Sequence, residues 1–151
     1  MGFIYIMIAL LQRVVESSVR IDGKVVAAIG PGLLALIAVR PTDAPEDGVR
    51  LLERILRYRI FDDEAGKMNL SLADVQGGLL LVPQFTLAAD TGKGLRPGFS
   101  HAATPALGRQ LYELLLQEAR ACHATVASGV FGAHMQVALT NDGPVTIWLE
   151  S

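Results

Sequence analysis

A single cysteine, Cys122, stands among 151 residues, so the chain can form no intrachain disulfide and no thiolate metal cluster. Such usage fits a reducing compartment, and a cytoplasmic protein is expected. Charge is scarce as well: Asp, Glu, Lys and Arg make up 19% of the residues, with a formal net charge of −2 and a pI near 5.9. Proteins that hold a duplex by its phosphates carry a strong basic excess. A DNA partner is therefore not expected, and any nucleic-acid substrate must be gripped locally, at an end or over a few nucleotides. No apolar run is long enough for a bilayer. The segment from Gly2 to Leu11 stops at Gln12-Arg13, about half the length of a membrane span. It has no basic residue before it and no A-x-A-like site after it, so neither a membrane helix nor a signal peptide is expected. Met7 serves equally as a start, with residues 1–6 as an upstream extension.

Apolar residues, by contrast, make up 51% of the chain, and the mean hydropathy is +0.39. That excludes intrinsic disorder. The length is that of one domain, residues 1–151, able to bury roughly 68–70% of the surface its unfolded chain exposes. With so few charges to cover it, part of its apolar surface is expected to be buried in an oligomer.

Residues 3–13 read as a continuous apolar strand, and Ser18-Val19-Arg20-Ile21 alternates. Asp22-Gly23 is a hairpin signal before Lys24–Ile29, and Gly30-Pro31-Gly32 breaks the chain before Leu33–Val39. Four strands joined mostly by short turns imply an antiparallel meander. Val49, Leu52, Ile55 and Leu56 then recur at helical spacing, which predicts a helix over 45–58. Its other face carries Arg50, Arg54 and Arg57, read as solvated. Leu79–Val82 is a buried strand running into Pro83, and residues 88–104 form a polar loop without hydrophobic period, long enough to suggest a functional role. Thr104-Pro105 is an N-cap followed by proline at the first helical position. Leu107, Leu111, Leu114 and Leu115 extend that helix over about 105–122. Strands at 124–127, 134–139 and 145–149 follow, the last two separated by a turn at Asn141-Asp142-Gly143-Pro144. The sum is an α+β domain, a curved and largely antiparallel sheet with two main helices.

The chemistry-bearing residues are few. None of His101, His123 and His134 pairs with another histidine or cysteine at ligand spacing, and the neighbours Cys122 and His123 diverge by about 100° on a helix. No metal site is expected. There is no G-x-S-x-G elbow, and Gly30-Pro31-Gly32 and Gly92-Lys93-Gly94 lack P-loop spacing. Asp62, Asp63 and Glu64 read as solvated turn residues, and His134 as structural. Two segments stand out. Val82-Pro83-Gln84-Phe85-Thr86-Leu87 ends a buried strand and then displays an amide, a ring and a hydroxyl; Asn141–Thr146 joins two strands. By themselves they are a strand end and a hairpin turn.

Together, Pro83-Gln84-Phe85-Thr86-Leu87 and Asn141-Asp142-Gly143-Pro144-Val145-Thr146 resemble the two signature motifs of the D-aminoacyl-tRNA deacylase family. The resemblance runs from Met7 onward through Gln12-Arg13-Val14, Tyr58–Phe61, Gly66–Asn69, Ala88–Thr91, Arg96–Ser100 and Met135-Gln136-Val137. It departs at Pro83, where the family usually has serine. Proline keeps the carbonyl but loses an N–H and a hydroxyl, so no role of that serine carries over. Proline at this position also occurs in a related deacylase branch of different chiral preference; Phe85 and the intact Asn-x-Gly-Pro-x-Thr motif favour the main branch.

The resemblance implies a barrel-like sheet and a cytoplasmic homodimer. Its activity would be hydrolysis of the ester between a D-amino acid and the 3′-terminal adenosine of tRNA, with glycyl-tRNA as a second substrate and no cofactor. It further implies a cis Gly143-Pro144 bond inserted across the dimer interface into the partner's pocket, with Arg13 holding that loop. Pro83, Ala103, Phe131 and Met135 would line the substrate pocket with Phe85. Thr86 is the obvious nucleophile by residue type, yet the sequence sets no base beside it. The resemblance implies instead that the tRNA 2′-hydroxyl assists, with backbone N–H groups near Gln84, Phe85 and Thr86 holding the oxyanion. A threonine nucleophile, and a non-catalytic module that binds aminoacylated RNA ends, are the alternatives.

Overall fold

The computed structural model describes residues 6–151. In chain order they form β1 (Ile8–Ile21), β2 (Lys24–Ile29), β3 (Gly32–Ala38), α1 (Pro45–Arg57), β4 (Phe61–Asp62), β5 (Met68–Leu70), the single turn α2 (Leu72–Val75), β6 (Gly78–Pro83), a 3-10 turn (Phe85–Ala88), α3 (Pro105–Cys122), β7 (Val126–Ser128) and β8 (Gln136–Glu150). The strand expected over 3–13 therefore begins, within the described part, at Ile8; residues 1–5 of the proposed extension lie outside the described residues.

β1 organises the sheet. One of its edges pairs antiparallel with β8 from Ile8 to Arg20; the other pairs with β3 over Ile8–Val14 and with β2 over Ser17–Ile21. The expected meander is corrected here: β3 returns beside the first half of β1, not beside β2. The helix-bearing segment between β3 and β6 then crosses over, as a parallel return requires, and β6 lies parallel to both β3 and β7. The result is a mixed sheet, largely antiparallel and curled into a nearly closed barrel.

The unbroken Leu79-Leu80-Leu81-Val82 run follows from burial on both faces. Leu79 and Leu81 pack with Leu33, Ala35 and Ile37 against the helices, among Leu51, Ile55, Leu111 and Leu115. Leu80 and Val82 pack with Val14, Val19 and Leu34 on the opposite face. The helices lie within one residue of their expected bounds. Pro45 opens α1, with Asp47 accepting from the Ala44 N–H at 2.7 Å; Thr104 caps α3 by accepting from the Leu107 N–H at 3.3 Å. On α1, Arg57 pairs with Glu53 at 2.9 Å and Arg50 with Asp47, but Arg54 donates to the Glu150 carbonyl and ties the helix to β8.

A second correction concerns residues 141–144. β8 does not reverse there. Gln12 faces Thr146 and Val14 faces Asn141, so residues 142–145 bulge outward opposite Arg13 alone, and the strand resumes in the same direction. Asn141 closes the neck by donating from Nδ2 to the Arg13 carbonyl at 2.9 Å and the Val145 carbonyl at 3.0 Å.

Asp43, in the loop before α1, is 7% exposed. Its Oδ2 accepts from the Arg40 N–H at 2.6 Å, and its Oδ1 is buried without a partner among the described residues. Burial pushes its carboxyl up to about 6, against the Arg40 hydrogen bond and with help from the Asp47 charge. Since the folded value exceeds the unfolded one, the stability this group contributes is full below about pH 4 and is lost as pH rises through 6. Asp43→Asn is accordingly expected to raise Tm by about 5 °C at pH 8 and to give no advantage at pH 4. Calorimetry at the two pH values checks this, and equal shifts at both would contradict it.

Candidate active site

β6 delivers Pro83 to the rim of the barrel. The Gln84 N–H donates to the Ile37 carbonyl at 2.7 Å, prolonging the parallel pairing by one bond before the chain folds into the 3-10 turn. The first internal bond of that turn runs from the Leu87 N–H to the Gln84 carbonyl at 3.2 Å. The N–H groups of Phe85 and Thr86 precede it and so have no partner within the turn. The Gln84 N–H is already spent on Ile37, which leaves two of the three expected oxyanion donors.

Beside this turn opens a cleft of about 430 Å³. Its walls are Ile37 of β3 and Val39 just after it, Val82–Phe85, Ala103 and Thr104 leading into α3 with Pro105, Gly108 and Tyr112 on it, and the segment Phe131–Met135 with Val137. Six of the residues singled out in the sequence meet here: Pro83, Gln84, Phe85, Ala103, Phe131 and Met135. Thr86 stands next to the cleft, its hydroxyl accepting from Gln84 Nε2. Among the described residues no histidine, lysine or carboxylate bonds it. Among the described residues no Asp, Glu, Lys or Arg lines the cleft, whereas His134 and Tyr112 do. His134 precedes β8 rather than heading it, and is among the residues that line the cleft.

Tyr112 is a wall residue that sequence reasoning missed. Its hydroxyl donates to the Leu81 carbonyl at 2.9 Å and lies 2.5 Å from Ser128 Oγ. Burial pushes its phenol up to about 12, so it is a neutral wall rather than a base. The available signal was the i, i+4 step from Gly108 to Tyr112 on the buried face of α3. At the mouth, Phe85 (57% exposed) packs on Phe99 (41% exposed) with ring centroids 5.1 Å apart. This contact ties the 88–104 loop to the cleft.

Arg13, Gly143 and Pro144 lie elsewhere, at the β8 bulge. Arg13 is 9% exposed. It donates from Nε to the Asp142 carbonyl at 3.0 Å and from Nη1 to the Ile60 carbonyl at 2.7 Å. The carboxylates of Asp62 and Asp142 stand 3.6 and 3.5 Å from its guanidinium. Gly143 has φ +140°, and the Gly143–Pro144 peptide is cis. Asp63, by contrast, is a turn residue, accepting from Ala65 N–H, Lys67 N–H and Asn69 Nδ2. Among the described residues no three His, Cys, Asp or Glu side chains converge as metal ligands.

The family model described as D-Tyr-tRNA(Tyr) deacylase matches residues 10–150. The chain belongs to that family. As a D-Tyr-tRNA(Tyr) deacylase family member it is a hydrolase. It is 65% identical over 144 residues to the D-aminoacyl-tRNA deacylase of Thioalkalivibrio sulfidiphilus, covering 95% of this chain and 97% of that one. It is 59% identical over 144 residues to that of Nitrosococcus oceani, covering 95% and 93%. Among solved structures, one described as a c-Myc DNA unwinding element binding protein superposes with TM-score 0.91 at 37% identity, covering 95% of this chain and 98% of that one. A probable eukaryotic D-amino acid tRNA deacylase superposes with TM-score 0.84 at 18% identity, covering 96% and 99%; that likeness speaks to the fold. Among the described residues of this family member no helix is long and apolar enough to cross a membrane.

Proposed function

We propose that this chain is an editing hydrolase in the cytoplasm that cleaves the ester of D-aminoacyl-tRNA and of mischarged glycyl-tRNA, releasing amino acid and tRNA. The observation that carries the reading is the apolar, aromatic-lined cleft beside the Gln84–Thr86 turn, in a chain 65% identical to a D-aminoacyl-tRNA deacylase over nearly its whole length. A cleft of this size suits one terminal aminoacyl-adenosine, held by stacking rather than by charge. That agrees with a net charge of −2. For the same reason the nucleic acid is read as an RNA end and not as DNA, despite the DNA-binding description of one solved relative.

In this reading the enzyme is a homodimer, and each bulge carries Gly143 and Pro144 into the partner's cleft. Backbone carbonyls aimed at the substrate α-carbon collide with an L side chain and leave a D side chain pointing outward. Such a gate admits many D side chains because it fits none of them, and it cannot reject glycine. The Arg13 and Asn141 hydrogen bonds support this role by bracing the bulge from within its own strand pair.

Water attacks the ester carbonyl, the bond to the ribose oxygen breaks, and that oxygen takes a proton. The substrate's 2′-hydroxyl activates the water, because among the described residues only the Gln84 amide bonds the Thr86 hydroxyl. The N–H groups of Phe85 and Thr86 receive the developing oxyanion. Thr86→Ala is thus expected to keep kcat within about threefold, whereas a tRNA ending in 2′-deoxyadenosine should be cleaved at least about 100-fold more slowly, the range of a lost general base. Abolished turnover with intact binding in Thr86→Ala, together with normal cleavage of the deoxy substrate, would assign the chemistry to the threonine instead.

A further inference from the structure

We infer that Arg109 is a phosphate anchor, a specificity residue that grips the RNA backbone just behind the terminal adenosine. The inference rests on the reading above, in which the cleft takes that adenosine. Arg109 lies on α3, and its guanidinium carbon sits 5.1 Å from the centroid of the Phe131 ring, a wall of the cleft. Its Nη2 lies 3.6 Å from the position a β-carbon at Gly132 would occupy, so the group reaches along the rim rather than away from it. The side chain is half exposed, and the carboxylate of Glu113 stands at 3.7 Å, beyond hydrogen-bond distance.

A guanidinium laid on an aromatic face is fixed in orientation while its five N–H donors still point outward, the geometry that suits a phosphodiester. Among the described residues that line the cleft there is no Lys or Arg, and the protein's net charge is negative. Attraction for RNA must come from cations at its edge. The 5′ phosphate of a nucleotide hangs on the same ribose that carries its base and its ester. An adenosine seated against Phe131 therefore brings a phosphate to the rim, where Arg109 is. The contact separates tRNA from a free aminoacyl-nucleoside, which has no phosphate to offer.

The test compares Arg109→Gln with the native enzyme on D-tyrosyl-tRNA and on D-tyrosyl-adenosine. The variant should lose about 10-fold in kcat/KM on the tRNA, through KM, as loss of a charged hydrogen bond predicts. It should stay within twofold on the nucleoside ester. Its plot of log KM against log salt should flatten by about 0.7, the value for one single-strand phosphate contact, and Arg109→Lys should restore most of the slope. Equal losses on both substrates would reduce Arg109 to a prop for Phe131 and overturn the inference, as would an unchanged KM on tRNA. Native enzyme inactive on both esters would overturn the deacylase reading itself.

Discussion

Alanine at Gly143 should cut kcat/KM on D-tyrosyl-tRNA by about 100-fold, the scale on which a misplacement of about 1 Å reads out in rate, while the fold survives. Gly143 holds φ +140°, a region that costs an L residue about 1–3 kcal/mol. Strain is only part of the effect. A β-carbon there would stand 2.7 Å from Val145 Cγ2, 2.9 Å from Val145 N and 3.2 Å from Arg13 Nη2. Val145 is held by its carbonyl to Asn141, and Arg13 is buried and bonded to Asp142 and Ile60. The atoms that would have to give way are those that brace the bulge, so the Gly143 and Pro144 carbonyls must move. The bulge is an excursion on an otherwise intact β1–β8 pair, and Tm should fall by only about 2–10 °C. Deacylation assays and thermal unfolding on the same preparation check both halves. Native-like turnover in a folded Gly143→Ala protein would remove the bulge from the reaction.

Gly32→Ala should act on the whole molecule. Gly32 faces Gly78 where β3 and β6 begin their parallel pairing, and a β-carbon there would lie 1.9 Å from the Gly78 carbonyl oxygen and 2.6 Å from its nitrogen. These are backbone atoms, so relief requires parting the two strands. Gly78 cannot retreat cheaply, since its own α-carbon faces Ile29; a β-carbon on it would stand 2.8 Å from the Ile29 Cβ. The expected cost is about 4–5 kcal/mol, at the top of the range for single substitutions, out of a typical total of about 5–15 kcal/mol. The urea midpoint should drop by about 2 M. Because β6 carries Pro83 and Gln84 to the cleft, whatever soluble protein remains should also be slow on substrate. A midpoint within about 0.5 M of the native one would contradict the close approach.

These two glycines mark where reading the sequence succeeds and where it stops. The helices were legible because their signals are local: the apolar spacing of Val49, Leu52, Ile55 and Leu56, and Thr104 before Pro105. The doubly buried β6 was legible from its unbroken leucines. Gly32 read only as a break in the chain, since nothing local says that Gly78 will lie against it across the crossover from β3 to β6. Asn141-Asp142-Gly143-Pro144 carries the chemistry of a turn, and that chemistry serves a reversal or a bulge equally well. Only the register against Gln12 and Val14 decides between them. The placing of β3 beside β1 is likewise a matter of pairing partners, not of either strand's own residues.

The cleft divides in the same manner. Pro83, Gln84 and Phe85 were marked by their motif, and Ala103, Phe131 and Met135 by family resemblance; all six line it. Tyr112 and Arg109 have no motif. Along the sequence they are one more aromatic and one more charge on an amphipathic helix, and only their neighbours, Leu81 and Ser128 for the tyrosine and Phe131 for the arginine, distinguish them.

Hydrolysis of matched D-tyrosyl-, L-tyrosyl- and glycyl-tRNA by the purified protein is the most direct measurement of chiral editing. The D-tyrosyl and glycyl esters should disappear while the L-tyrosyl ester persists, as a gate of backbone carbonyls requires. Cleavage of the L ester at the rate of the D ester, or survival of the D ester, would contradict it.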